Sequence, residues 1–287
     1  MGNMRALRTR IKSLKSTQQV TKSMKMVSAA KLRRAQNAYG RLKPFADKSR
    51  EILAEVVGDD GVREHPLLSP KTVRNKICYV LFVGNRGLCG TYNQAVLRFL
   101  TEVAQTASGD RFLIVCGRWG REAITKSGLP VRRWFTEVDD IPTSETAREI
   151  SGYLQELYLS GQADEIVMVY QEYGSVLLQT PVKKTLLPLI VEEDNELKKT
   201  YIFEPQKERV LEQLISLYID STVYAVLLES KTSEHAARMT AMTAASDNAD
   251  ELIRDLRLKL NHARQAAITT EIAEISGGAA VLDQDRH

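Results

Sequence analysis

The residues with the most chemical promise form one short run, GNRGLCGTYN, Gly84 to Asn93, placed after an apolar segment and before a helical one. A glycine-rich strand-to-helix turn is where α/β proteins seat phosphates, because small residues let backbone N–H groups at a helix N-terminus approach the anion. The spacing here is GxxGxxG rather than GxGxxG, and the GK[ST] ending of a P-loop is missing. No acid is placed to hold a ribose, since the next apolar run, FLIVC (112–116), leads into Gly117 and Arg118. The pattern favours a structural tight turn that presents Arg86. Cys89 stands near Arg86, whose charge would favour the thiolate, yet no histidine lies close in sequence to serve as a base. Neither GxSxG nor HExxH occurs, no CxxC is present, and His65, His235, His262 and His287 are scattered. Cys78, Cys89 and Cys116 sit in apolar or glycine-rich contexts, as buried thiols of a reducing compartment do. The chain is expected to hold no catalytic centre, cofactor or metal.

A second chemistry is purely electrostatic. KSMKMVSAAKLRRAQ, Lys22 to Gln36, lies within a first 46 residues that hold twelve Lys/Arg and no Asp or Glu. The whole chain is +4, so everything after residue 46 is net −8. Such a tract suits nucleic acid, an anionic membrane surface or an acidic protein surface, and its plain alternative is a solvated helix face. Interleaved aromatics for base stacking are lacking, with only Tyr39 and Phe45 before residue 50. The N-terminus lacks a signal-peptide apolar run, and no apolar stretch approaches the roughly 20 residues that span a bilayer. The expectation is a soluble cytoplasmic protein that can dock on something membrane-bound.

Elements must position these residues, and proline and glycine mark them out. Asn3 to Tyr39 contains neither, no proline follows Pro205, and no glycine occurs from Ser175 to Ser276. We read an N-terminal coiled-coil helix over 1–57, a central α/β domain over 75–204 and a C-terminal coiled-coil helix over 207–287. Alternate steps of three and four from Leu211 pass through Leu214, Tyr218, Ser221, Ala225, Leu228, Thr232, His235, Met239, Met242, Ser246, Ala249, Ile253, Leu256, Leu260, Ala263, Ala267 and Thr270. That is the repeat of a coiled-coil seam with small and polar interruptions. Roughly 70 helical residues reach about 105 Å, which predicts a protruding helix. The N-terminal seam is weaker: Leu7, Ile11, Leu14, Gln18 and Thr21, with Val20, Met24 and Val27 nearby, then Leu32, Ala35, Tyr39 and Leu42. So polar a helix is marginal alone, and its natural partner is the C-terminal helix folded back antiparallel. Between them, ICYVLFV (77–83), FLIVC (112–116) and EIVMVY (165–170) read as buried strands. Asn93–Gln105, Arg118–Lys126 and Ser144–Leu159 read as helices, an alternation that implies a mainly parallel sheet. Strands near Val176–Lys184 and Thr200–Phe203 would add an antiparallel edge, and 192–199 reads as a charged turn.

IKSLKSTQQVTKSMKMVSAAKL, RGLCG, SEHAARMTAMTAASDNADELI and ARQAAITTEIAEISGGAAVL, in that order, resemble the γ subunit of the F-type ATP synthase over effectively the whole chain. The resemblance implies a long antiparallel coiled coil of the terminal helices plus a central Rossmann-like α/β domain. It implies a rotor standing in a ring of α and β subunits, bound at its foot to ε and to the c-subunit ring. Catalysis there belongs to β, and the complex translocates protons or sodium at the cytoplasmic face of the cell membrane, with γ peripheral. Residue by residue, Lys22, Met24 and Lys25 match a segment near acidic β loops, and Arg86 matches another such contact. Arg264 and Gln265 match a polar pair engaged by a β catch loop, and Ile272 to Leu282 matches the apex in an apolar sleeve. For Met24 a seam position is the competing reading, and for Arg264 a solvated face. Many relatives carry Asp where this chain has Asn85, and the inserted cysteine pair of chloroplast relatives is missing. The rival readings are a basic coiled-coil nucleic-acid-binding protein and a nucleotide-dependent enzyme built on the middle domain.

Overall fold

A computed structural model describes residues 2–57, 65–69, 75–190 and 207–284. The expected strand at 200–203 and the charged turn at 192–199 lie outside them. The elements run α1 (Gly2–Val57), β1 (Lys76–Phe82), α2 (Tyr92–Thr106), β2 (Asp110–Cys116), α3 (Arg121–Thr125), β3 (Val131–Phe135), α4 (Ser144–Leu159), β4 (Glu165–Tyr173), β5 (Gln179–Leu187) and α5 (Lys207–Gln284). Two compact units result, one of residues 27–240 and one of residues 1–26 with 241–287.

In the larger unit five strands form one sheet in the order β3-β2-β1-β4-β5. β1 pairs parallel with β2 and β4, β2 pairs parallel with β3, and β5 closes the β4 edge antiparallel. The strand period of two sends alternate side chains to opposite faces. Cys78, Val80, Phe82, Ile114, Cys116, Ile166 and Met168 join one core, with α4, Leu53 and Val56 of α1, and Leu211, Ile215, Ile219, Val223 and Val226 of α5. Ile77, Tyr79, Leu81, Leu113, Val115, Val167 and Val169 join the other, beneath Val96 and Leu100 of α2 and Ile124 of α3. Each fully buried aliphatic side chain contributes about 1.5–3 kcal/mol. Thr143 caps α4, its hydroxyl accepting from the Thr146 amide, with Glu145 in the first turn.

This packing corrects the C-terminal seam. Up to Arg238, α5 lies in the α/β core, so its buried line steps by four through 211, 215, 219 and 223, and Lys231 to Ala236 are buried on every side. One stretch of this helix is also long and apolar enough by composition to cross a membrane, contrary to the sequence expectation, with mean hydropathy 1.3. Its apolar face is the one packed on the sheet.

The smaller unit follows the predicted seam. Met242, Ser246, Ala249 and Ile253 are buried, and Leu256, Leu260 and Ala263 half-buried; Ala267 and Thr270 are exposed. From α1, Ile11 and Thr21 are buried, with Leu7, Leu14, Gln18 and Met24 half-buried along the same stripe. The two helices pair antiparallel, joined by Thr21 Oγ1 and Ser246 Oγ at 2.7 Å. Val20 is 55 % exposed and so lies off the stripe.

Candidate functional site

Gly84 ends β1's run into the turn because α5 presses on it: a Cβ there would stand 2.9 Å from Cδ of Glu234. Its amide donates to Asn93 Oδ1 at 2.8 Å. The close approach that glycine permits is therefore used by a carboxylate-bearing helix, an unsuitable neighbour for a phosphate. Leu88 takes a left-handed conformation, φ 60°, which is uncommon for a residue with a Cβ. Arg86 stands exposed at the tip, as the sequence reading required, while Cys89 is buried. Burial pushes the Cys89 thiol up, and the cation that partly opposes this is Arg238, not Arg86. Burial likewise raises the thiols of Cys78 and Cys116.

Beneath the turn lies a polar cluster on α5 that sequence reasoning missed. Glu234 Oε2 accepts from Lys231 Nζ at 2.9 Å and its Oε1 accepts from Arg238 Nη2 at 2.6 Å, with all three side chains at most 10 % exposed. Burial opposes the charge on Glu234, but Lys231 and Arg238 outweigh it and hold the carboxyl below its usual range. Arg238 also donates from Nη2 to the carbonyls of Arg86 and Gly87 at 3.3 and 3.4 Å, and from Nε to Gly87 at 3.4 Å. His235 sits 3.3 Å from the Asp140 carbonyl, and Asp140 is ion-paired with Lys31 of α1. Tyr92 donates to the Ser230 carbonyl at 2.9 Å, and Gln171 to the Tyr92 carbonyl at 2.8 Å. The signal available was SEHAARM, whose acid and base stand four residues apart amid small side chains.

The remaining residues singled out from sequence stand on their own elements. Lys22 and Lys25 are exposed on α1, with Met24 half-buried between them on the stripe that carries Thr21. Arg264 and Gln265 are exposed on α5. In the larger unit a cleft of about 390 Å³ is lined by Gln36, Tyr39, Lys43, Glu172, Tyr173, Glu229 and Thr232. Among the described residues no group of three or more His, Cys, Asp or Glu is placed to hold a metal ion.

One unit built on a largely parallel sheet and one built from two paired terminal helices define an α/β protein with a two-helix coiled coil. The same fold occurs in the Euglena gracilis mitochondrial ATP synthase, OSCP/F1/c-ring, rotational state 3, with TM-score 0.71 at 22 % identity over 100 % of this chain and 96 % of that one. A chain of the Tetrahymena thermophila mitochondrial ATP synthase central stalk/c-ring gives TM-score 0.60 at 22 % identity, covering 79 % of this chain and 99 % of that one. Residues 3–282 match the family model for ATP synthase. The ATP synthase gamma chain of Desulforamulus reducens is 44 % identical over 99 % of this chain and 100 % of its own length, and that of Pelotomaculum thermopropionicum 42 % identical over the same shares. The chain belongs to the ATP synthase gamma chain family. Nothing in these likenesses supports a nucleic-acid-binding coiled coil.

Proposed function

We propose that this chain is the central-stalk rotor subunit of a proton- or sodium-translocating F-type ATP synthase, carrying rotation between the membrane c ring and the catalytic α/β ring. It is a non-catalytic subunit, peripheral to the membrane on its cytoplasmic face, with α, β, ε and the c ring as partners. Identity of 44 % to an ATP synthase gamma chain across the full length carries this reading.

The arrangement of charge supports it. Lys22 and Lys25 stand exposed on a helix whose other face is occupied by the seam. With Met24 and Arg86 they are the contacts we assign to acidic β-subunit loops, and Arg264 and Gln265 are those we assign to a β catch loop. Exposed ion pairs are worth only about 0–1 kcal/mol each. Many weak attractions hold a turning shaft without trapping it at one angle. In the smaller unit the small side chains of Ser246 and Ala249 are buried in the α5 stripe that meets α1, as close helix approach requires. Towards the end of α5, Ile268, Ile272 and Ile275 are 45 %, 62 % and 69 % exposed at helical spacing, an apolar stripe suited to a sleeve.

Mixing the full chain with the parent enzyme's α and β subunits tests the reading. One copy per ring is expected to assemble and to raise ATP hydrolysis well above that of the ring alone. Failure to join the ring, or a ring equally active without the chain, refutes it.

A further inference from the structure

Around Arg86 the turn has one weak side-chain bond of its own, from Cys89 Sγ to the Arg86 carbonyl at 3.8 Å. Its first residues are tied down, Gly84 through Asn93 and Asn85 through a bond from its side-chain amide to the Val138 carbonyl. Beyond them the chain passes through Leu88 in a left-handed conformation. The carbonyls of Arg86 and Gly87 are gripped from below by one guanidinium, that of Arg238, with three donor contacts of 3.3–3.4 Å.

Arg238 is fixed in turn from two directions. Glu234 takes Nη2 at 2.6 Å, and Nη1 lies 3.4 Å from His235 Nδ1. A guanidinium only donates, so Nδ1 must offer its lone pair. The other ring nitrogen lies 3.3 Å from the Asp140 carbonyl oxygen, which only accepts, so Nε2 carries the hydrogen. The two contacts together fit one species, the neutral imidazole protonated at Nε2. We propose that Arg238 is the positioning residue of the RGLCG turn, and that neutral His235 holds Arg238 in its grip, so that protonation of His235 loosens the segment carrying Arg86. The consequence for the assembled enzyme rests on the partner contact proposed for Arg86; the grip itself does not.

The charged groups that act on the ring are Glu234 and Arg238 on α5 and Asp140 between β3 and α4; Glu234 is itself paired with Lys231, and Asp140 with Lys31 of α1. Burial disfavours the imidazolium, as does Arg238, while Glu234 and Asp140 favour it; burial prevails and the pKa lies below the ordinary 6.5. A second proton would sit on Nδ1, opposing donor to donor and cation to cation inside a buried site. The intact grip is therefore fully present above the ordinary histidine value and is lost as pH falls through the lowered folded value.

Cys89, 2 % exposed inside the turn, reports on this directly, and the buried Cys78 and Cys116 serve as internal controls. The assembled complex of full chain with α and β subunits is treated with a dipyridyl disulfide, and labelling is read separately at each cysteine. Arg238→Lys and Arg238→Met are expected to speed labelling of Cys89 by on the order of tenfold with Cys78 and Cys116 unchanged, as loss of a charge-assisted bond predicts. Stepwise acidification from pH 7.5, down to the pH at which Cys78 and Cys116 themselves begin to label, is expected to raise the wild-type Cys89 rate relative to His235→Gln, whose amide keeps one acceptor and one donor but does not titrate. Arg238→Lys keeps a cation beside the Cys89 thiol, so a Cys89 rate equal to wild type in that variant overturns the grip. A wild-type to His235→Gln ratio that stays flat until Cys78 and Cys116 begin to label overturns the histidine's part in it. Arg86→Ala is assayed separately for ATP hydrolysis: unaltered hydrolysis refutes the partner contact of Arg86, while the labelling still decides the grip.

Discussion

Glu234→Gln removes the one anion between Lys231 and Arg238 while leaving shape almost unchanged. Lys231 is 4 % exposed as a side chain and Arg238 10 %, so neither released cation can turn to water without moving backbone or neighbours. The amide offers a single acceptor to two donors at 2.9 and 2.6 Å. Removing one member of a buried pair costs roughly 3–5 kcal/mol, chiefly because the other charge is left uncompensated. Lys231→Met, by contrast, leaves the Glu234–Arg238 pair in place and is expected to cost about 1–3 kcal/mol. The double variant leaves one fewer orphaned cation than Glu234→Gln alone, so its cost falls short of the sum by about 0.5–3 kcal/mol. Urea unfolding followed by the fluorescence of Trp119 and Trp134, both in the 27–240 unit, reads these values. With a slope of about 1–3 kcal/mol per molar, the midpoint of Glu234→Gln is expected to drop by at least ~1 M. Because the native carboxyl is held below its ordinary 4.5, its contribution is present above that value and lost as pH falls through the folded one. The glutamine variant shows no such loss. A cost for Glu234→Gln below about 1 kcal/mol, or strictly additive single variants, refutes the reasoning.

In the smaller unit, Thr21→Val and Ser246→Ala are each expected to cost about 0.5–1.5 kcal/mol. The two hydroxyls own two protons for three contacts, since Thr21 also reaches the Gln18 carbonyl and Ser246 the Met242 carbonyl. Each survivor therefore keeps a bond within its own helix, and a thermal-unfolding cycle on the pair is expected to show the double variant costing less than the sum. Gly84→Ala is expected to destabilise by about 1–3 kcal/mol in urea, because the Glu234 carboxylate at 2.9 Å is pinned by two cations and cannot yield. Lys22→Glu with Lys25→Glu is expected to lower ring-stimulated ATP hydrolysis or assembly while leaving far-ultraviolet circular dichroism unchanged, both side chains being exposed.

How far the fold was legible depended on burial geometry. β1, β2 and β4 are sheet-centre strands covered on both faces, so their sequences are continuous apolar runs between turn residues and read at once. β3 escaped notice because VRRWF carries two arginines. They are accommodated at the sheet edge by aromatic faces, Arg132 over Phe112 at 3.8 Å and Arg133 over Phe135 at 4.4 Å. The third helix starts later than expected, after Gly120 at φ 69°. The candidate site divides in the same way. Glycine spacing exposed the Arg86 turn, because such backbone needs are written into residue type. Arg238 stayed hidden, because a charged residue on a long helix is ordinarily solvated, and only its neighbours in space show otherwise. Val20 and Val27 misled for the opposite reason: both are apolar, and both are more than half exposed.

The three stretches of α5 explain why one uninterrupted helix needs three compositions. On the sheet it meets a broad apolar surface, and Ile215, Ile219 and Val223 fill it with branched side chains. Next it meets backbone carbonyls, which must be bonded when buried; Ser233 donates to that of Gln171 and Arg238, held by Glu234, to that of Arg86. Beside α1 it meets one other helix, for which a narrow stripe of Met242, Ser246, Ala249 and Ile253 suffices. From Arg264 to Ser276 the described side chains are all exposed, and the hydroxyls of Thr269 and Thr270 bond back to their own helix. A solitary helical stretch of this length, with β-branched residues and back-bonded threonines, is marginal in water. The stripe of Ile268, Ile272 and Ile275 is the only large apolar surface it has to offer among those described residues, and the proposed rotor role gives that stripe a partner to bury it. The same stretch carries the exposed Arg264 and Gln265, so in the role proposed above a partner that covers the isoleucine stripe would also meet these two polar groups.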